Sequence, residues 1–334
     1  MIHKIYVMLG SKCNMDCRYC MQHTLVKTPL PPQKASGKFY DFIEKAHKQN
    51  SKLGICFFGG EPLVYYNTIH EIVEKLPNLK YSIITNGKAI TDEMVAFFNE
   101  HNISVTVSWD GYNVKETRRY NVFSVPSLKH RILRINSLAL TAVCSAYCYP
   151  VDILDSFESI DRIYCPIHDR HIGINIDTIF DAGLMDQSLI DIDYGRVRRE
   201  IRYICDKFVS SAPYAYTRFI EQELRRAGKY KGYCYCGNGY TVINLDLDGN
   251  LYECHNVSNP IGTVDGNIFE YFKNVLECDA TRERIQSRCK DCIALPLCKG
   301  GCKLMRNLDD YCKLKRAFYG TIVEYCLERE TNAK

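Results

Sequence analysis

No apolar stretch in this chain approaches the roughly 20 residues that a membrane-spanning helix needs. The amino terminus has no charged segment followed by an apolar core, which excludes an ordinary secretory signal. Lysine and arginine form no stripe, and a formal net charge of +4 is too slight for a nucleic-acid surface. Internal repeats and low-complexity segments are also missing. These absences lead to the expectation of a cytoplasmic protein with no nucleic-acid or membrane partner. What abounds is cysteine, at 18 of 334 residues. A reducing compartment keeps thiols reduced, so this number points to metal sites rather than disulfides. The length suffices for one large domain and a smaller one, each with its own core.

From residue 1 to about 180, strand-like and helix-like segments alternate. Ile5–Leu9, Leu53–Phe58, Tyr81–Ile84, Ile103–Ser108, Leu138–Val143 and Ile172–Ile176 read as strands. Between them Phe39, Phe42, Ile43 and Ala46 recur at helical spacing, as do Ile69, Ile72, Val73 and Leu76. Thr91 is placed to cap a third helix, with Asp92 and Glu93 in its first turn. Six strands with intervening helices imply an α/β fold with a parallel sheet, two repeats short of a closed eight-fold barrel. The expectation is a partial (β/α)6 TIM-type barrel over residues 1–185. A helical bridge over 186–233 follows, carrying Val197, Ile201, Ile204 and Phe208 on one stripe and a second helix from Pro213 to Ala227, stopped by Gly228. Residues 234–334 then form a small cysteine-rich α+β domain. There Thr241–Leu247, the turn Asp248-Gly249-Asn250 and Leu251–Cys254 read as a hairpin. Pro29-Leu-Pro-Pro32 reads as a stiff structural loop.

Directly after the first strand come Cys13, Cys17 and Cys20, spaced C-x3-C-x2-C. Three thiolates on one loop can hold three irons of a [4Fe-4S] cubane and leave the fourth open to a ligand. A zinc or redox loop is the alternative for the spacing alone. In parallel α/β folds the ends of strands carry the site. After the second strand stands Gly59-Gly60-Glu61-Pro62, whose glycines allow close backbone approach and whose carboxylate can accept from an ammonium group. Thr85-Asn86-Gly87 follows the third strand and Ser108-Trp109-Asp110-Gly111 the fourth, both also compatible with plain turn chemistry. Arg118 and Arg119 are candidates for clamping a carboxylate. Near the carboxy terminus, Cys289, Cys292, Cys298 and Cys302 are spaced C-x2-C-x5-C-x3-C. Gly249-x4-Cys254 and the pair Cys234 and Cys236 lie upstream, and Cys312 downstream. A zinc ribbon is the alternative reading of this array.

The cysteine loop in this position, with Tyr19 beside its last cysteine and the Gly-Gly-Glu-Pro turn, resembles the radical S-adenosylmethionine (radical SAM) superfamily. The carboxy-terminal array resembles that superfamily's SPASM extension. The resemblance covers nearly the whole chain. It implies one SAM-binding [4Fe-4S] cluster on Cys13, Cys17 and Cys20, and two auxiliary [4Fe-4S] clusters. Cys254 and Cys302, with cysteines of the 234–236 region, would hold the first auxiliary cluster; Cys289, Cys292, Cys298 and Cys312 would hold the second. Cys234 and Cys236 stand closer together than in sulfatase-maturing relatives, which leaves open whether both ligate. S-adenosyl-L-methionine would lie on Tyr19, Gly59, Gly60, Glu61, Pro62, Thr85, Asn86, Ser108 and Asp110. The implied chemistry is hydrogen abstraction by a 5′-deoxyadenosyl radical, fed by a flavodoxin- or ferredoxin-type electron donor. The expected function is oxidative modification, by cross-linking or dehydrogenation, of a ribosomally made peptide. Oxidation of a small molecule, sulfatase-type maturation and a non-enzymatic iron–sulfur or zinc adaptor are the alternatives. Sulfatase maturases carry a basic aspartate after the cysteine of G-x4-C; here that position is His255, which can also take a proton. Cys144 and Cys148 are candidate hydrogen-atom donors, as in peptide epimerases. Cys165, His168 and His171 have ligand-like spacing, with a metal there held the weaker reading. Because four residues precede the first strand, a peptide substrate is expected to need a separate leader-binding protein, a short leader, or none.

Overall fold

The computed structural model describes residues 1–25, 34–183, 186–208, 213–229, 236–238, 240–277 and 284–332. Nine strands form one parallel-dominated sheet in the order β6-β5-β4-β3-β2-β1-β7-β8-β9. They are β1 (Lys4–Met8), β2 (Gly54–Phe58), β3 (Lys80–Thr85), β4 (Ser104–Ser108), β5 (Leu138–Cys144), β6 (Gly173–Thr178), β7 (Val242–Asp246), β8 (Asn250–Tyr252) and β9 (Pro260–Thr263). The first six lie within two residues of their expected positions, and helices connect them as expected of a partial (β/α)6 barrel. Among the described residues no helix is long and apolar enough to cross a membrane.

The described chain divides into two compact units that are discontinuous in sequence. One comprises residues 1–108, 120–139 and 236–279. In it β1 to β4 pair in parallel, and β7 joins the free edge of β1, with Lys4 opposite Val242 and Met8 opposite Asp246. The hairpin expected to belong to a separate domain therefore extends the barrel sheet. Its return strand β8 is antiparallel to β7, and β9 to β8. Alternation along the strands splits the sheet into two faces. Ile5, Val7, Ile55, Phe57, Ile83, Val105 and Val107 are buried to within about a percent, together with Phe39, Ile43, Ile69, Ile72 and Val73 of the flanking helices. Tyr6, Phe58, Ser82, Ile84, Thr106 and Ser108 point the other way and stay half-exposed. One face is thus core and the other is partly open, with Met8 and Cys56 buried on it. Each fully buried side chain of this size contributes about 1.5–3 kcal/mol. Ser36 and Thr91 cap the helices Gly37–Gln49 and Asp92–Glu100 by accepting from Phe39 N and Met94 N.

The second unit comprises residues 109–119, 140–235 and 280–334. Strands β5 and β6 show the same alternation: Leu140, Ala142, Cys144, Ile174 and Ile176 are buried, while Thr141, Val143, Asn175 and Asp177 are half-exposed. The helices Pro150–His168, Tyr194–Phe208, Tyr214–Lys229, Leu308–Lys315 and Thr321–Asn332 cover it. Tyr214–Lys229 runs through Gly228, so that glycine does not stop the helix. Pro29–Pro32 lies outside the described residues.

Candidate active site

The cysteine loop is held by backbone. Gly60 N donates to Gly10 O and Glu61 N to Lys12 O, both at 2.9 Å, while Lys12 N donates to Tyr65 Oη at 2.8 Å. A Cβ at Gly59 would stand 2.5 Å from Gly10 O, and one at Gly60 2.5 Å from Ser11 O and nearer still to Lys12 O. Gly59, with φ +156°, and Gly60 are therefore glycines so that this turn can lie against the strand end that launches the cysteines. Close approach was expected from the sequence; its object is the protein's own loop.

Glu61 joins a third segment to this pair. Its carboxylate, 1% exposed, accepts from Thr85 Oγ1 at 2.5 Å, Leu63 N at 3.0 Å and Asn86 N at 2.8 Å. Burial pushes its pKa up, and those three donors oppose the shift. The carboxylate expected to meet a ligand's ammonium group is held by three donors of its own chain. Asn86 continues the chain of contacts by donating Nδ2 to Asn14 Oδ1 at 2.7 Å and to Cys13 Sγ at 3.8 Å. Lys88 Nζ donates to Asn14 O at 3.2 Å. Asn14, Tyr65 and Lys88 were missed in the sequence, because only the fold brings them to the cysteines.

Cys13 is exposed and Cys17 and Cys20 are half-buried, with Cys20 N donating to Cys17 O at 3.1 Å. Tyr19 between them is half-buried, and Pro62 is buried at the start of the next helical turn. Met15 N donates to Cys13 Sγ at 3.4 Å, an N–H···S contact of the kind that tunes iron–sulfur clusters. Among the described residues no three His, Cys, Asp or Glu side chains converge closely enough to hold a single ion.

Residues 7–137 match the family model described as the radical SAM superfamily. That segment belongs to the radical SAM superfamily. Two curated relatives match along most of their length. One is the radical SAM cyclopropyl synthase TigE of Paramaledivibacter caminithermalis, 25% identical, with 99% of this chain and 75% of that protein covered. The other is a serine-type anaerobic sulfatase-maturating enzyme of Bacteroides thetaiotaomicron, 25% identical over 89% of this chain and 82% of that protein. Among solved structures, native anSMEcpe with bound AdoMet and the Cp18Cys peptide superposes with a TM-score of 0.69 at 18% identity, covering 100% of both chains. That is a likeness of fold. Membership implies a [4Fe-4S] cluster and SAM, and the donor set of the cysteine loop fits such a cluster.

Other candidate residues of this radical SAM protein fall in three places. Ser108, at the end of β4, is half-exposed on the open face. Asp110 is buried and saturated: its carboxylate accepts from Arg118 Nε at 3.1 Å and Nη2 at 3.2 Å, from Thr117 Oγ1 at 2.6 Å and from Val143 N at 3.0 Å. Asp110, expected on SAM, and Arg118, a candidate carboxylate clamp, are bound to each other. Cys144 lies on the covered face of β5, and Cys148 is equally buried; burial pushes the Cys148 thiol up to about 12 and that of Cys144 higher still. Both stay protonated, as a hydrogen donor must, yet neither reaches the surface, and the donor role expected of them is not carried forward. Cys165 and His171 approach at 3.9 Å, but His171 Nδ1 is bound to Asp161 at 2.6 Å.

His255 packs on the open face, its ring centroid 4.5 Å from Tyr6 and 4.3 Å from Phe58, the residue before Gly59. Nδ1 is buried with no hydrogen-bond partner among the described residues. Burial, and then the Lys4 ammonium, pull its pKa down to about 4. The imidazole is neutral near pH 7.

The carboxy-terminal cysteines also cluster. Cys289, Cys292, Cys298 and Cys312 line one small pocket with Leu295 and Lys315. These are the four residues expected on the second auxiliary cluster. Burial raises the thiols of Cys289, Cys312 and Cys298, the last to about 11. Cys254 accepts from Asn256 N at 3.5 Å and Cys302 from Leu304 N at 3.4 Å, the same two-residue N–H···S turn as at Cys13. Cys236 is exposed, and Cys234 lies outside the described residues.

Proposed function

We propose that this radical SAM enzyme oxidatively modifies a peptide, with the first cluster on Cys13, Cys17 and Cys20 and auxiliary clusters on the carboxy-terminal cysteines. The observation that carries the reading is the presence of two distinct cysteine sets. One is an incomplete triad on a loop; the other is a complete set of four around one pocket. When bound, cluster and SAM supply a 5′-deoxyadenosyl radical that abstracts hydrogen from an unactivated carbon. The chain's own residues position and protect that event. Glu61 and Asn86 hold the cysteine loop in register. Tyr19 would lie against the adenine of bound SAM, and Ser108 would donate to its carboxylate. His255, neutral and seated on Phe58, takes the substrate proton. The cysteines within residues 234–334 supply the auxiliary clusters in this reading.

A peptide substrate is supported by the peptide held in the superposed structure of anSMEcpe. Sulfatase-type maturation is a second reading, favoured by the match over 89% of this chain, with His255 in place of the expected aspartate counting against it. The test is mass spectrometry of anaerobic turnovers in D2O, with short peptides encoded beside the gene and with sulfatase peptides. A loss of about two mass units from a gene-neighbour peptide supports the proposal. Conversion of a sulfatase serine or cysteine to formylglycine supports the second reading. If 5′-deoxyadenosine forms and no peptide changes, the peptide reading falls.

A further inference from the structure

We propose that Lys315 is the built-in counter-charge of the four-cysteine pocket and raises the reduction potential of the iron–sulfur cluster held there. The inference rests on the reading of that pocket as a cluster site, and it concerns a residue to which neither motif nor spacing draws attention.

Lys315 lies one helical turn after Cys312, at the end of Leu308–Lys315, and lines the same pocket as the four thiols. It is only 4% exposed. Its ammonium sits over the ring of Tyr319 at 4.5 Å and of Tyr311 at 5.2 Å from the centroids. Burial works against its charge most strongly. Among the groups that act on it, Cys298, Asp177 and Glu223 favour the charged form, and Arg226 opposes it. Glu223 is bound to Arg226 at 3.0 Å, so those two largely offset each other.

A buried ammonium is costly to desolvate, and an apolar side chain would fill the same volume without that cost. The two ring faces recover part of it. What makes the position favourable is negative charge in the pocket, which four thiolates on a cluster bring. A fixed positive charge in a low-dielectric site favours the more negative, reduced form of such a cluster. Lys315 would therefore make this cluster the readier electron acceptor.

The test is an anaerobic redox titration followed by electron paramagnetic resonance on the full-length, reconstituted chain. Cys13→Ala, Cys17→Ala and Cys20→Ala remove the first cluster, and the signal lost on adding Cys298→Ser is the one followed. In this background Lys315→Met is expected to lower the potential by at least 59 mV, tenfold in the reduced-to-oxidised ratio of a one-electron couple. Lys315→Arg is expected to hold it within about threefold, because the charge remains. Lys315→Gln gives the same comparison should Met fail to load iron. An unchanged potential in a fully loaded Met or Gln variant overturns the proposal, as does an equal fall in the Arg variant, which would mark a packing role. If Cys298→Ser removes no signal, the cluster reading of the pocket fails, independently of Lys315.

Discussion

Replacing Glu61 with glutamine tests whether the carboxylate serves the protein's own loops or a ligand. One of its oxygens accepts from Thr85 Oγ1 and Leu63 N, the other from Asn86 N. An amide has one acceptor oxygen, so its NH2 must face one of these donors. Turned toward Asn86, it orphans that N–H. Turned the other way, Thr85 can reverse its hydroxyl, but Leu63 N–H is orphaned. A buried donor left unpaired costs about 1–3 kcal/mol, and the loss of charge assistance adds to it. We expect about 2 kcal/mol, or roughly thirtyfold faster opening of the affected amide in hydrogen exchange of the iron-free chain. Since Asn86 also holds Asn14 and Cys13, reconstituted iron should fall and SAM should bind more weakly. Amide protection equal to that of the parent at Leu63 and Asn86, with SAM affinity alone reduced, would refute the clamp and return Glu61 to direct ligand contact.

Four further outcomes are expected. Gly60→Ala should lose iron from the amino-terminal site, because its Cβ would collide with the carbonyls of Ser11 and Lys12; iron analysis with and without the carboxy-terminal cysteines checks this. Asp110→Asn should destabilise the chain by about 3–5 kcal/mol in urea unfolding, by leaving the buried Arg118 guanidinium without its carboxylate, and should leave the SAM dissociation constant unchanged. Cys17→Ala should abolish SAM cleavage, whereas Cys292→Ala should spare much of it and impair substrate oxidation; equal loss of both would make the carboxy-terminal sites structural. His255→Phe should keep the packing on Tyr6 and Phe58, keep 5′-deoxyadenosine formation, and lower product yield by about 10²-fold or more. Full product from that variant would remove His255 from the chemistry.

The six barrel strands were legible because alternation and helical spacing are local signals, and Thr91 was legible as a cap for the same reason. The pairing of β7 with β1 was not. Val242–Asp246 followed by Asp248-Gly249-Asn250 looks like a self-contained hairpin, and a parallel partner more than 200 residues away leaves no local trace. The same limit explains the site. The convergence of Cys289, Cys292, Cys298 and Cys312 on one pocket was foreshadowed by their spacing. The engagement of Asp110 by Arg118 was not, since aspartate before glycine looks the same whether it faces a ligand or an arginine. Burial of Cys144 and Cys148 was likewise hidden, because it depends on which face of β5 the helices cover.

Strand β1 has consequences for how the polypeptide emerges from the ribosome. Its neighbour β2 is complete by Phe58, but the neighbour on its other side ends at Asp246, 188 residues later (246 − 58). At about 5–20 residues per second, that edge would wait some 10–40 seconds for its partner. Until then the backbone amides and carbonyls of Lys4–Met8 offer a template to any passing strand. The segment leads directly into the cysteine loop, so premature pairing there would block iron loading as well as folding.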